Sequence, residues 1–472
     1  MSNRVLAILA AALLILSVAV AAGKSVYGNK KNPFDEYGSM EKYLQDVTDE
    51  DLEDIEEDLE LEQTEFYYSE DVHEAGTINY DYLEKEECED SSLPRIDIRM
   101  DQGYVLSKDY SDCEISMTGA GKYNVGRCPG KIRIRGNWTS KWEKKPLKIK
   151  FDTKISMFGR KAERSWALIA NYMDNTQIHN YIAYDLYKFL SPKDEFVPVY
   201  EYVDVYINDV YIGVYALSDQ IETGKGRIDI KGAKGPSPSE TDYLIEQDFR
   251  LAMQEPEGEN KYWFWSRYND IMFSIKSPDK DLRTEDLDYM RDYMDLVYVL
   301  AKMERYDEVE KLIDVDSFIR YMIVQDVTRN ADVWKASIFY LKPAGEKLRV
   351  ATIWDCDLTF GGLGGYPDGS VICDNYLYDA LMGMEEFRHR YLDTFFENDQ
   401  LIRDHVNTEI DRVSDLYYDE FSNEYFNWEY ENTDFMIDEM NGLESYSDQV
   451  DMMKWWFGEQ MTNLEAQYIN MY

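Results

Sequence analysis

Histidine is scarce, with four in 472 residues. Zinc sites draw mainly on His and Cys, so a histidine-built metal hydrolase is poorly supported. The five cysteines, Cys88, Cys113, Cys128, Cys356 and Cys373, show no CxxC spacing, which argues against a structural zinc. Their odd number leaves at least one unpaired, and Cys113 and Cys128, flanking a Gly-containing loop, are the pair placed to staple it. Positive charge is short too: 50 Lys+Arg stand against 93 Asp+Glu, a formal net charge of −43. Such a chain repels phosphate backbones and anionic lipid heads, so no nucleic-acid partner is expected. Long apolar runs are absent after the first residues. There, Arg4 precedes Val5 to Ala22, apolar except for Ser17 and containing Ala19-Val20-Ala21. The pattern is that of a secretory signal. Its 18 residues barely suffice to span a bilayer, so an uncleaved anchor is the alternative, and the only membrane contact expected. Either way the chain is expected to be secreted or at the cell surface.

What is present is ample material for a core: 44% hydrophobic and 14% aromatic residues. Composition divides the chain into 1–22 (signal or anchor), 23–92 (acidic flexible tether), 93–275 (β-rich) and 276–472 (helical). The tether includes Asp49-Glu50-Asp51 and Glu56-Glu57-Asp58, and like-charge runs favour solvated segments. From Leu93 apolar residues alternate, at Ile96 and Ile98, Ile132 and Ile134, then Leu147, Ile149 and Phe151, the period of strands. Tyr200 to Leu217 reads as a hairpin turning at Asn208-Asp209. Ile178, Ile182, Leu186 and Phe189 share one face of a helix over about 175–190. After Thr284 the spacing turns helical, with helices expected over 318–328, 384–425 and 451–471 and one short β segment between them. The fold class is α+β, with two lobes and a cleft.

Three segments concentrate chemistry. Arg135-Gly136-Asn137 follows a strand and leads to Lys144-Lys145-Pro146-Leu147-Lys148-Ile149-Lys150. A Gly-containing turn lets backbone N–H groups approach a phosphate, and Lys148 and Lys150 point away from the apolar face of their strand. The bland alternative is an edge strand blunted with lysine. Asn330-Ala331-Asp332 follows a helix, and Asp355-Cys356-Asp357 with Phe360-Gly361-Gly362 follows a strand. Mg²⁺ takes one or two carboxylates plus substrate phosphates, and phosphoryl transfer adds a positioning Asp and a phosphate-binding Lys.

The combination RGNWTSKWEKKPLKIKFD, WALIANYMDNTQIHNYIAYDL, VYINDVYIGVYAL, DYLIEQD, NADVWKASIFYLK and IWDCDLTFGG resembles the spore-coat protein H (CotH) kinase family. The resemblance implies a divergent two-lobed protein-kinase-like fold, a β-rich N-lobe with one main helix and a mostly helical C-lobe. It implies ATP and Mg²⁺ or Mn²⁺ as cofactors, and an exported or surface protein bearing Ser or Thr as partner. Carried over by position, Asp332 resembles the family's catalytic Asp and Asp355 its metal-binding Asp, with Asp357 and Ser337 as further candidates. Arg135, Gly136 and Asn137 resemble the phosphate-covering turn. Lys148 is the expected nucleotide lysine, with Lys145 and Lys150 left open. His179 stands where Arg is frequent, Asp219 where Glu is common, and Cys356 where an apolar residue is usual. The lysine's acidic partner is therefore open, with Asp174 and Glu246 as weak candidates. The rival reading is a surface adhesin that keeps the fold without catalysis.

Overall fold

The computed structural model describes residues 76–230, 235–249, 262–269, 271–278, 282–334, 336–362, 365–428, 437–440 and 443–472, and Asn32, Phe34, Met40, Leu44 and Leu52 before them. The expected signal or anchor, 1–22, lies outside the described residues. Among those described, no helix is long and apolar enough to cross a membrane.

Strands β1 (Arg95–Arg99), β2 (Ser111–Thr118), β3 (Val125–Ile134), β4 (Leu147–Ile155), β5 (Glu163–Ile169), β6 (Tyr200–Ile207) and β7 (Val210–Asp219) close into a barrel of order β1-β2-β3-β4-β5-β7-β6. All neighbours are antiparallel except β1 and β6, which close the ring in parallel. The alternation read from the sequence explains this. Ile96, Ile98, Ile132, Ile134, Leu147, Ile149 and Phe151 are buried in one cluster with Trp166, Leu168, Val205 and Tyr215, the barrel interior. The β6–β7 hairpin turns at Asn208 and Asp209, with φ 51° and 68°, the two left-handed residues of a tight hairpin turn.

The expected staple does not form. Cys113 lies opposite Gly130 and Cys128 opposite Ile115, so the two thiols are diagonal neighbours across β2 and β3. Diagonal positions sit about 7–8 Å apart, beyond the usual reach of a disulfide. All five cysteines are free.

A second sheet, β12-β11-β8-β10-β9, joins β8 (Tyr243–Gln247), β9 (Trp263–Trp265) and β10 (Met272–Ser277) to β11 (Ile338–Lys342) and β12 (Arg349–Thr352). Ile245 pairs with Tyr340, and Leu244 with Leu341. Hydrogen bonding therefore crosses the division expected at residue 275. The β-rich half is a closed barrel plus part of a mixed-origin sheet, in place of one kinase-like N-lobe.

The helices are α1 (His179–Leu190), α2 (Thr284–Lys302), α3 (Tyr306–Leu312), α4 (Val315–Thr328), α5 (Tyr376–Gly383), α6 (Glu385–Leu416), α7 (Tyr418–Asn427) and α8 (Tyr446–Ile469). The helix expected from about 175 starts at His179, because the Asp174 carboxylate accepts from Thr176 N at 2.8 Å and His179 N at 2.7 Å and holds the intervening residues in a turn. Ile178, Ile182 and Leu186 share one large core with α2, α4, the second sheet and α8. The barrel joins that core through Tyr200, Tyr202, Val214 and Ala216, on the outer faces of β6 and β7.

The tether expectation fails where residues 23–92 are described. Phe34 is buried with its ring 5.3 Å from Tyr289 and 5.0 Å from Tyr293 on α2. The Asn32 side chain donates to Glu346 O at 3.0 Å, and Tyr80 is buried against the barrel. An acidic average concealed isolated apolar anchors.

Candidate functional site

Two loops are locked together below the cleft. Phe360 N donates to Thr328 O at 2.9 Å and Ala331 N to Leu358 O at 3.3 Å. Asn330 Nδ2 bridges to Asp355 O at 3.3 Å. The segment after α4 and the segment after β12 thus form one unit. Asp332 sits in a 3-10 turn, Ala331–Trp334, with its N–H on Asn330 Oδ1 at 3.1 Å. Asn375 Nδ2 supports that turn from below through Val333 O at 3.0 Å and Trp334 O at 3.1 Å.

Ser337 and Asp355 hold left-handed backbone, φ 59° and 60°. Non-glycine residues adopt that region at a cost of about 1–3 kcal/mol each, and keep it when surroundings over-determine it. Here Ser337 Oγ donates to Asp355 Oδ2 at 2.8 Å, and Asp355 N donates to Tyr184 Oη at 3.3 Å. Cys356 N donates to Asn180 Oδ1 at 2.8 Å. Burial, then Asp355, Asp357 and Asp332, push the Cys356 thiol well up. Asp355 and Asp357 flank that buried sulfur, and the Asp332 turn is joined to their loop by the Ala331–Leu358 and Asn330–Asp355 hydrogen bonds.

Across from them stands the barrel. The cleft encloses about 440 Å³ of empty space, its open mouth included, and Arg135, Thr139, Lys144, Tyr184, Asp355 and Asp357 are among its walls. The Arg135 guanidinium lies 5.4 Å from the Trp354 ring centre. Burial lowers its pKa, and Asp355, Tyr184 and Asp357 oppose that shift. Gly136 has φ 76°, and a Cβ there would meet Thr139 Oγ1 at 2.2 Å, so the turn requires glycine. Asn137 is exposed, and its carbonyl accepts from Ser140 Oγ at 2.6 Å.

The lysines sort themselves by partner. Lys148 is on the outer face of β4, 3.5 Å from Glu222 Oε1. Glu222 also meets Arg227 Nη1 at 2.6 Å. Burial lowers Lys148, Glu222 opposes that, and Arg133 and Arg135 add to it. Neither weak candidate for its acidic partner serves: Glu246 pairs with Lys276 at 2.6 Å, and Asp174 caps the start of α1. Asp219 is occupied by Arg160 at 2.9 Å and Val199 N at 3.0 Å. Lys145 Nζ donates to Lys141 O at 3.1 Å, and Lys150 is exposed. Lys144 reaches the cleft wall, but its ammonium is bound to Ala170 O at 2.8 Å, Val214 O at 2.6 Å and the Glu424 carboxylate. That lysine ties the barrel to α7.

Glu222, Asn180 and Tyr184 escaped the sequence reading. Asn180 and Tyr184 are four apart on α1, a polar pair beside the apolar stripe of Ile178, Ile182 and Leu186, and that spacing was a usable signal. Glu222 lies in a loop after β7 and carries no pattern. His179 is buried in a neutral-favouring setting, with burial lowering its pKa against Asp174 at 3.4 Å.

A family model described as CotH kinase protein matches residues 132–463, more than half of the chain. The chain belongs to the CotH kinase family. No curated protein matches it. The CotH match takes in both locked loops, the Arg135-Gly136 turn and Lys148, and membership gives the chain a kinase-like function. Residues before 132, including β1 and β2, stand outside it.

Proposed function

We propose that the chain is an exported CotH-type protein kinase that transfers the ATP γ-phosphoryl group to Ser or Thr hydroxyls of secreted or surface proteins. The observation that carries this reading is that Asp355 and Asp357 line one cleft with Arg135, while hydrogen bonds lock the Asp332 loop to theirs. The run Val5–Ala22 supports export.

The donor chemistry fits a hard divalent cation. Asp355, Asp357 and Ser337 offer oxygen alone, the preference of Mg²⁺ and Mn²⁺. Among the described residues no three His, Cys, Asp or Glu are grouped to hold an ion, so its other ligands would be phosphate oxygens and water. When bound, the ion neutralises charge on the transferring group.

The residues of the chain do the positioning. Ser337 fixes one oxygen of Asp355, a residue of the cleft wall. Arg135 and Lys148 supply positive charge on the barrel side. Asp332 orients the acceptor hydroxyl and takes its proton. The hydroxyl oxygen bonds to the γ-phosphorus as the bond from that phosphorus to the β,γ-bridging oxygen breaks, and ADP departs with the electron pair.

The adhesin reading draws on the exposed rings of Trp138, Tyr366 and Trp455. Incubating the full chain with γ-labelled ATP, Mn²⁺ or Mg²⁺ and a mixture of Ser- and Thr-containing proteins separates the two. The kinase reading predicts metal-dependent label on Ser or Thr; an adhesin gives neither transfer nor metal-dependent nucleotide binding.

A further inference from the structure

Lys108 lies before the segment matched by the family, yet the fold sets it beside the phosphate turn. Leu106 is fully buried, and it bridges to Ile78, with Ile78 N on Leu106 O at 3.1 Å. Next to it, Ile134 N donates to Ser107 O at 2.7 Å. These bonds hold Lys108 in register with Ile134-Arg135-Gly136. Its Nζ donates to the Gly136 carbonyl, and its own carbonyl accepts from Arg133 Nη1 at 3.3 Å.

Positive charge gathers beside this turn. Burial and then Arg133 and Arg135, both repulsive, push the Lys108 ammonium down to about 8. The same two guanidiniums act on Lys148. Arg133 stands opposite Lys148 in the β3–β4 register, with Lys108 and Arg135 beside them; Glu222 answers Lys148, and Asp355 and Asp357 answer Arg135. Arg133 Nε is buried there with no hydrogen-bond partner. Like charges held this close oppose folding, and a polyanion relieves them.

We propose that Lys108, with Arg133 and Arg135, forms a cationic cradle for the terminal phosphates of the nucleotide, so that the site distinguishes nucleotides by phosphate number. The inference rests on the kinase reading above and adds a binding residue to it. A staple of the Gly136 turn alone would give Lys108 a structural role that no ligand charge would sense.

Calorimetric titration of the full chain with ATP, ADP and AMP in Mn²⁺, for wild type, Lys108→Met and Lys108→Arg, tests it. Lys108→Met should weaken ATP about tenfold, roughly 1.4 kcal/mol. ADP should weaken less and AMP should be unchanged, with Lys108→Arg retaining most of the ATP affinity and the Tm without nucleotide held. Equal ATP affinity in wild type and Lys108→Met overturns the cradle. Equal loss for ATP and AMP with a lowered Tm overturns it in favour of the staple. Wild type that binds none of the three nucleotides overturns the kinase reading itself, a result distinct from both.

Discussion

Ser337 Oγ donates to Asp355 Oδ2 at 2.8 Å, and both residues hold left-handed backbone, one just before β11 and the other three residues past β12. The serine is thereby a positioning residue for a carboxylate of the cleft wall. Ser337→Ala should leave the fold intact, since the hydroxyl contributes only about 1 kcal/mol. Asp355 would then sample other rotamers. The Mn²⁺ concentration for half-maximal transfer should rise several-fold, with kcat reduced less than tenfold. An unchanged metal requirement would show that Asp355 is held by its backbone alone.

Glu222 is the counter-ion of Lys148, at 3.5 Å, but is 45% exposed, so the pair contributes little to stability. Its contribution lies in keeping a partly buried ammonium charged and aimed. Glu222→Gln should raise the KM for ATP several-fold with Tm nearly unchanged. Lys148→Met should do the same, and the double variant should add little to either. Additive losses in that cycle would place the two residues in separate roles.

Asp204 offers a pH-dependent check on the barrel's seam with α7. Burial pushes its carboxyl up to about 6, against hydrogen bonds from Ser91 and Tyr211. A carboxyl raised on folding binds more protons in the folded state, so its contribution to stability declines as pH rises from the unfolded value of about 3.9 to the folded one. Asp204→Asn removes that dependence. In urea unfolding, the stability of the variant relative to wild type should improve by about 1.4 kcal/mol between pH 5 and pH 7.5. A difference that stays constant across that window would mean that Asp204 is not buried as a charge.

Periodicity carried much of the fold. Every second residue is apolar in β1, at the end of β3 (Ile132, Ile134) and at the start of β4 (Leu147, Ile149, Phe151), and those residues fill the barrel. The closure of β1 onto β6 was not legible, because parallel pairing between strands a hundred residues apart leaves no local pattern. Neither was the second sheet, whose strands β8 and β10 are buried on both faces and so do not alternate. In the site, Asp332, Asp355 and Asp357 were legible as acids at turns next to a helix and a strand. Glu222 and Lys108 were not, since only the fold brings them beside β4 and β3. Phe34 and Asn32 were hidden by the acidic average of residues 23–92.

The central claim is that Asp355 serves the metal and Asp332 serves the acceptor hydroxyl. It is tested most directly by measuring, in the same preparations of Asp332→Asn and Asp355→Asn, both Mn²⁺-dependent ATP binding and transfer from γ-labelled ATP. Asp332→Asn should bind ATP and Mn²⁺ as wild type does while transfer falls at least 10²–10³-fold, the loss that removal of one preorganised polar group brings. Asp355→Asn should lose transfer together with the metal-dependent part of nucleotide binding, and both variants should unfold at the wild-type temperature. Full transfer by either variant, or metal-dependent binding untouched in Asp355→Asn, would contradict the account.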